Sequence, residues 1–359
     1  MHLKALVTGS GGLIGSACVK MLAERGWEVA GIDNNMRREF FGERGSTEFV
    51  VRELCASFPR YHHHSFDIRD RQRLRDLTKA FRPEFIIHTA GQPSHDLAAS
   101  IPYDDFDINA VGTLNLLVAA RDCCADSPFC FTSTNKVYGD TPNHIPMVEL
   151  ETRYDFSDGR IGIDETMSID HSLHSLFGVS KLAADMLCQE FGRYFNMPVG
   201  IFRCGCLTGP QHAAVELHGF LSYIAHAALT GAEYTIFGYK GKQVRDQIHC
   251  MDVASLFLEF YANPRCGEVY NLGGGRENSW SILETIEALR SMGLDLRYRI
   301  EDVNRIGDHI CYISDLTKVR AHYLNWRIKF DIMSSLVDVV SGTRLSNRIA
   351  GSSNGSLRL

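Results

Sequence analysis

A chain of 359 residues that is 45% apolar and carries a formal charge of −6 at pH 7 has the material for one large core and a smaller lobe. No block of like charge is long enough to follow a nucleic-acid backbone or an anionic membrane surface, so neither is expected as a partner. The 11 cysteines are scattered, and Cys204-x-Cys206 and Cys123-Cys124 lack a second pair at metal-ligand spacing. They read as reduced cytosolic thiols acting as small hydrophobes, with no metal site.

The N-terminus, MHLKALVTGSGGLIG, enters a strand and a glycine turn at once, which leaves no room for a secretory leader. No apolar stretch reaches the roughly 18 residues of a spanning helix, and a cytoplasmic location is expected. Apolar runs then alternate with amphipathic stretches up to about residue 205, the pattern of successive βα units. The expected strands are Lys4 to Thr8, Glu28 to Asp33, Tyr61 to Asp67, Phe85 to Thr89, Phe129 to Thr134 and Val199 to Cys204. Between the first two lies a helix, Leu13 to Arg25, with Leu13, Ala17, Met21 and Leu22 on its apolar face and Gly26 as its stop.

The expected fold is α/β, a Rossmann-type doubly wound parallel sheet with a smaller C-terminal substrate lobe. Residues 1–205 form the first domain, which 246–275 is expected to rejoin as a helix and a strand. Residues 206–245 and 276–344, including a helix from about Ser281 to Met292, form the lobe. Residues 345–359 read as a mobile tail.

Gly9, Gly12 and Gly15 stand at the first strand-to-helix turn, where missing side chains let the backbone approach a pyrophosphate and a helix N-terminus faces the anion. The next strand ends at Asp33, placed to bond ribose hydroxyls and repel a 2′-phosphate. That points to NAD, although Arg37 and Arg38 follow closely. Gly9, Gly12, Leu13, Ile14, Asp33 and Asn34 are therefore candidate cofactor contacts. Asp67 and Ile68 end the third strand where an adenine would lie, with a helix cap at Asp67 as the other reading.

Beyond the glycine spacing, HTAGQ at 88 to 92, DINAVGT at 107 to 113 and VRDQIHCMDVA at 244 to 254 resemble motifs of the extended short-chain dehydrogenase/reductase family of nucleotide-sugar epimerases and dehydratases. Within it, STNKVYGD at 133 to 140 and the stretch Glu149 to Tyr154 look most like the CDP-paratose 2-epimerases. The resemblance implies tightly held NAD, with Thr89, Ala90, Gln92, Asn109, Thr132, Lys181 and Cys204 as further contacts. It also implies a sugar oxidised to a transient keto form and reduced again.

The family's chemistry uses a Ser or Thr, a Tyr and a Lys. Thr134 and Lys181 match, but Phe177 occupies the tyrosine position in Phe177-Gly178-Val179-Ser180-Lys181. Phenylalanine can neither accept nor donate a proton. His171, His174, Tyr154, Tyr138 or a water on Lys181 are the candidate replacements.

For the substrate's diphosphate, the resemblance implies Arg245 and Arg305, with Asp308 on the nucleotide ribose. Lys136, two residues after Thr134, shares its side of the strand and points either toward substrate or into solvent. His218 and the aromatic stretch Phe237, Tyr239 and Lys240 are candidates for holding a base. The leading reading is an NAD-dependent nucleotide-sugar epimerase, possibly CDP-linked, whose product feeds a surface polysaccharide. A dehydratase is less favoured, because Asn135 and Lys136 follow Thr134 where relatives carry Asp-Glu. A catalytically impaired NAD-binding protein is the third reading. The helices Asn109 to Arg121 and Phe177 to Tyr194 are expected to pair two copies as a homodimer.

Overall fold

The structure is a computed structural model and describes residues 2–210, 219–304 and 307–355. Its centre is a parallel sheet of β1 (Lys4–Thr8), β2 (Glu28–Ile32), β3 (Tyr61–His64), β4 (Phe85–His88), β5 (Phe129–Thr134), β6 (Val199–Cys204) and β7 (Glu268–Leu272), in the spatial order 7-6-5-4-1-2-3. β1, β5 and β6 match their expected bounds. β2 and β4 end one residue early, at Ile32 and His88, and β3 ends three early, at His64. Asp33, Thr89 and Asp67 thus leave the ladder and turn toward the cavity beyond the sheet's C-terminal edge.

Helices α1 (Leu13–Glu24), α2 (Arg71–Phe81), α3 (Gly112–Cys124), α4 (Leu176–Tyr194) and α5 (Cys250–Ala262) cover both faces. Side chains alternate along a strand, so Ala5 and Val7 of β1 join Met21, Leu22, Val253 and Phe257 on one side. Leu6 joins Leu116, Leu117, Ala184 and Cys188 on the other. A strand buried on both faces must be apolar throughout, which is why ALV runs unbroken. α1 stops where Gly26 takes φ +81° and donates its N–H to Ala23 O at 2.9 Å.

Within 246–275, α5 packs on α1 and β7 forms the sheet's edge beside β6. The lobe is built on helices Phe220–Thr230, Ile282–Ser291 and Ile332–Gly355, whose Ile224, Ile286 and Leu336 share a small core. The stretch 276–344, expected wholly in the lobe, divides. Its Leu316, Val319, Tyr323 and Trp326 belong to the core on the α1 side, where Trp326 Nε1 donates to Asp252 O at 3.0 Å. The last helix continues to Gly355, into the segment expected as a tail.

Candidate active site

Parallel strands end together, so the loops that follow them meet at one edge. After β1, Gly9 has φ +67°, and a Cβ there would lie 2.8 Å from Ala90 N. At Gly15 a Cβ would lie 2.0 Å from Gly9 O, so only glycine lets α1 approach the strand this closely. Gly12 caps α1 without a side chain, leaving the first-turn amides of Leu13 and Ile14 to an external anion.

Asp33 is fixed by three donors: Gly11 N–H to Oδ2, and Asn35 N–H and Thr47 Oγ1–H to Oδ1, each at 2.9 Å. Arg37 lines the same end. Burial brings its guanidinium down to about 10, with Asp33 opposing. Asn34 Nδ2 donates to Asp67 Oδ2 at 3.1 Å, and Arg69 closes on Asp67 from the other side at 3.0 Å. The cap of α2 is Asp70, which accepts the Arg73 N–H at 3.1 Å. Asp67 is therefore a wall residue, not a cap. A glycine cradle, an uncapped helix start and a fixed carboxylate are what a dinucleotide requires, so these residues fit NAD.

A single cavity of about 480 Å³ continues from this turn past Thr134 and Lys181 to Arg245 and Asp308. Lys181, 7% exposed, donates to Thr132 O at 2.8 Å and lies 4.3 Å from the Phe131 ring centre. Burial lowers its ammonium to about 8. Phe177, one helical turn earlier, is 8% exposed on the same wall, so the position a turn before the lysine carries no titratable group. Thr134 Oγ1 accepts the Lys136 N–H at 3.2 Å.

Thr89, Ala90, Gln92, Thr132, Ile68 and Cys204 line the cavity as expected. Asn109 stands behind the wall instead. Its Oδ1 accepts the Gln92 N–H at 2.9 Å and its Nδ2 donates to Ser180 Oγ at 3.0 Å, so it shapes the loop without facing a ligand.

None of the four side chains considered as replacements for the phenol reaches the cavity. Tyr138 donates to Asn271 Oδ1 at 2.8 Å, accepts from Arg203 at 3.1 Å, and burial pushes its hydroxyl up to about 12. His174 Nε2 bonds Val137 O at 2.8 Å, Tyr154 donates to Glu149 at 3.2 Å, and His171 is exposed.

On the lobe side Lys136 Nζ donates to Gly307 O at 2.9 Å and lies 3.4 Å from Asp308 Oδ1, which also accepts from Arg245 at 2.5 Å. Burial alone would raise Asp308, but Arg245 and Lys136 hold it well below the usual carboxylate range. Burial lowers Lys136, with Asp308 opposing. Phe237 lines the cavity, whereas Lys240 turns to Glu149 at 3.0 Å. His218 and Arg305 lie outside the described residues. The wall also contains His95, Gln247 and Trp280, which the motifs did not single out; His95 sits only three residues beyond HTAGQ.

Residues 5–273 match the model of the NAD dependent epimerase/dehydratase family. Over 335 residues the chain is 31% identical to the CDP-paratose 2-epimerase of Salmonella typhi, covering 91% of this chain and 95% of that one. Over 360 residues it is 30% identical to the UDP-glucose 4-epimerase of Erwinia amylovora, covering 94% and 96%. The UDP-glucose 4-epimerase of Thermus thermophilus, solved as a complex with NAD, aligns at a TM-score of 0.76 and 25% identity, covering 95% of this chain and 99% of that one. In sequence and in architecture alike, the chain belongs to the NAD-dependent epimerase/dehydratase family.

Proposed function

We propose that the protein is an NAD-dependent epimerase of a nucleotide-diphosphate sugar that works through a transient keto sugar, with Phe177 standing where the family's tyrosine is expected. The observation that carries this reading is the continuity of one cavity from the glycine turn, past Thr134 and Lys181, to Arg245 and Asp308. Cofactor and anionic substrate meet in that single space. NAD, when bound, supplies the hydride acceptor and donor for one sugar carbon.

The chain's own residues do the rest. The amides of Leu13 and Ile14 receive the pyrophosphate, and Asp33 takes the ribose hydroxyls. Lys181 is anchored at Thr132 O with its remaining N–H groups directed to the nicotinamide ribose. Thr134 Oγ holds the reacting sugar oxygen. Arg245 and Lys136 bind the diphosphate, in geometry suited to charge-assisted bonds. Likeness to the CDP-paratose 2-epimerase supports a CDP-linked sugar, and its product is proposed to feed surface polysaccharide. A dehydratase fits less well, because the residues after Thr134 are Asn135 and Lys136. No helix among the described residues is long and apolar enough to cross a membrane, in keeping with the proposed cytoplasmic location.

Phe177 itself favours a second reading, an NAD-binding protein without turnover. Incubating the NAD-loaded protein and Phe177→Tyr with CDP-, UDP- and GDP-sugars, followed by mass spectrometry and absorbance at 340 nm, separates the two. Epimerised sugar from the wild type is expected; turnover by Phe177→Tyr alone would favour the second reading.

A further inference from the structure

His95 is a titratable group on the cavity wall to which the reading above gives no role. It opens the short helix His95–Ala98, in which Ser94 Oγ accepts the Leu97 N–H at 3.2 Å. Gln92 Nε2 donates to Ser94 O and to Asp105 Oδ1, each at 2.8 Å, and the Gln92 amide is held by Asn109. The loop that presents the imidazole is thus built on buried hydrogen bonds, and its helix packs against α4, the helix of Phe177 and Lys181.

The side chain is 21% exposed, yet Nε2 is shielded and has no hydrogen-bond partner among the described residues. Leaving a buried polar nitrogen unpaired is unfavourable, and a ligand hydroxyl would satisfy it. The atom faces Gly307, where a Cβ would lie 2.6 Å from it. The Gly307 carbonyl is held by Lys136 and the Asp308 carboxylate by Arg245, the two cations assigned to the diphosphate. A diphosphate would compete with Gly307 O and Asp308 for these cations, and access of a sugar to Nε2 then requires Gly307 to move aside.

Resting on the epimerase reading, we propose that His95 is the group that exchanges a proton with the reacting sugar hydroxyl in place of the absent phenol. With NAD bound to take the C–H hydride, the O–H proton would pass to His95 Nε2 and leave a carbonyl. Hydride return to the opposite face of that carbon, with return of the proton to the oxygen, completes inversion and leaves both groups as they began. Asp96 Oδ1 lies 3.7 Å from Nδ1.

The test compares wild type, His95→Gln, His95→Asn and His95→Gln/Phe177→Tyr on the nucleotide sugar that the wild type turns over, with NAD and CDP binding measured by calorimetry. His95→Gln is expected to slow product formation about 10²-fold or more while both affinities stay within about threefold, and adding Phe177→Tyr is expected to restore at least about tenfold of the rate. A His95→Gln rate near wild type, or a loss that the new phenol leaves unrepaired, overturns the assignment. If His95→Gln fails to fold, His95→Asn and His95→Asn/Phe177→Tyr decide by the same criteria. A wild type inert on every sugar overturns the epimerase reading and this assignment with it, whereas turnover indifferent to His95 overturns the assignment alone.

Discussion

The Arg203 guanidinium grips the Asp185 carboxylate through two 3.0 Å bonds, Nε to Oδ2 and Nη2 to Oδ1, with side chains 5% and 0% exposed. Ser133 Oγ donates to the same Oδ2 at 2.6 Å. The pair therefore braces β6 against α4 and, through Ser133, against β5, the elements that carry Phe177, Lys181 and Thr134. Asp185→Ala leaves a buried cation unpaired and is expected to cost about 3–5 kcal/mol. Urea denaturation reads this as a lower midpoint; an unchanged midpoint would mean that the pair contributes nothing.

Acid lability is expected to centre on His88. Its ring spans Thr8 Oγ1 at 2.7 Å and Thr113 Oγ1 at 2.8 Å. Thr113 gives its own proton to Asn109 O at 2.6 Å, so Nε2 is the donor and Nδ1 the acceptor. Burial, then the Lys181 charge, lowers His88 from 6.5 to about 3. The unfolded chain takes up this proton first as pH falls, so the stability is whole above about pH 6.5 and is lost toward 3, by at most about 1.4 kcal/mol per unit. Melting curves of wild type and His88→Gln at about pH 7 and 5 should show the smaller drop in the variant; equal drops would exclude His88 as the cause.

Asp33→Ser removes the carboxylate at the ribose end and leaves Arg37 as the nearby charge. Loss of charged hydrogen bonds worth about 1.5–3 kcal/mol predicts NAD binding weaker by about tenfold or more, with NADP gaining relative to NAD. Fluorescence titration with both nucleotides measures the ratio, and an unchanged preference would remove Asp33 as the selector.

Along α4, Val179 and Met186 are 45% and 37% exposed, Tyr194 is 79% exposed, and Tyr103 is 87% exposed on the adjoining helix Pro102–Phe106. An apolar stripe at helical spacing suits the proposed homodimer. Sedimentation velocity is expected to find a dimeric wild type and a largely monomeric Met186→Arg. A wild type that sediments as a monomer would end the dimer proposal.

Much of this molecule is legible in its residues because the requirements are local. Gly9 and Gly15 are needed wherever backbone approaches backbone, and the unbroken apolar run Ala5 to Val7 of β1 announces a strand covered on both sides. Thr134, Lys181, Arg245 and Asp308 sit in stretches whose likeness to the family's motifs already implied one site. The motifs were silent on His95, which lies just past HTAGQ in a stretch whose turn chemistry gives no sign of which way an imidazole points.

The sequence by itself therefore determined the strand–turn–helix cradle, the carboxylate that follows β2, and the substitution of phenylalanine at position 177. Each depends on one residue and its near neighbours. Only the tertiary structure decided that Asn109 stands behind the wall, that Tyr138 is locked away by Arg203 and Asn271, and that Lys136 holds the Gly307 carbonyl and Arg245 the Asp308 carboxylate. Those outcomes rest on contacts between segments far apart in the chain, where burial and the available hydrogen-bond partners, rather than spacing, determine what each side chain can do.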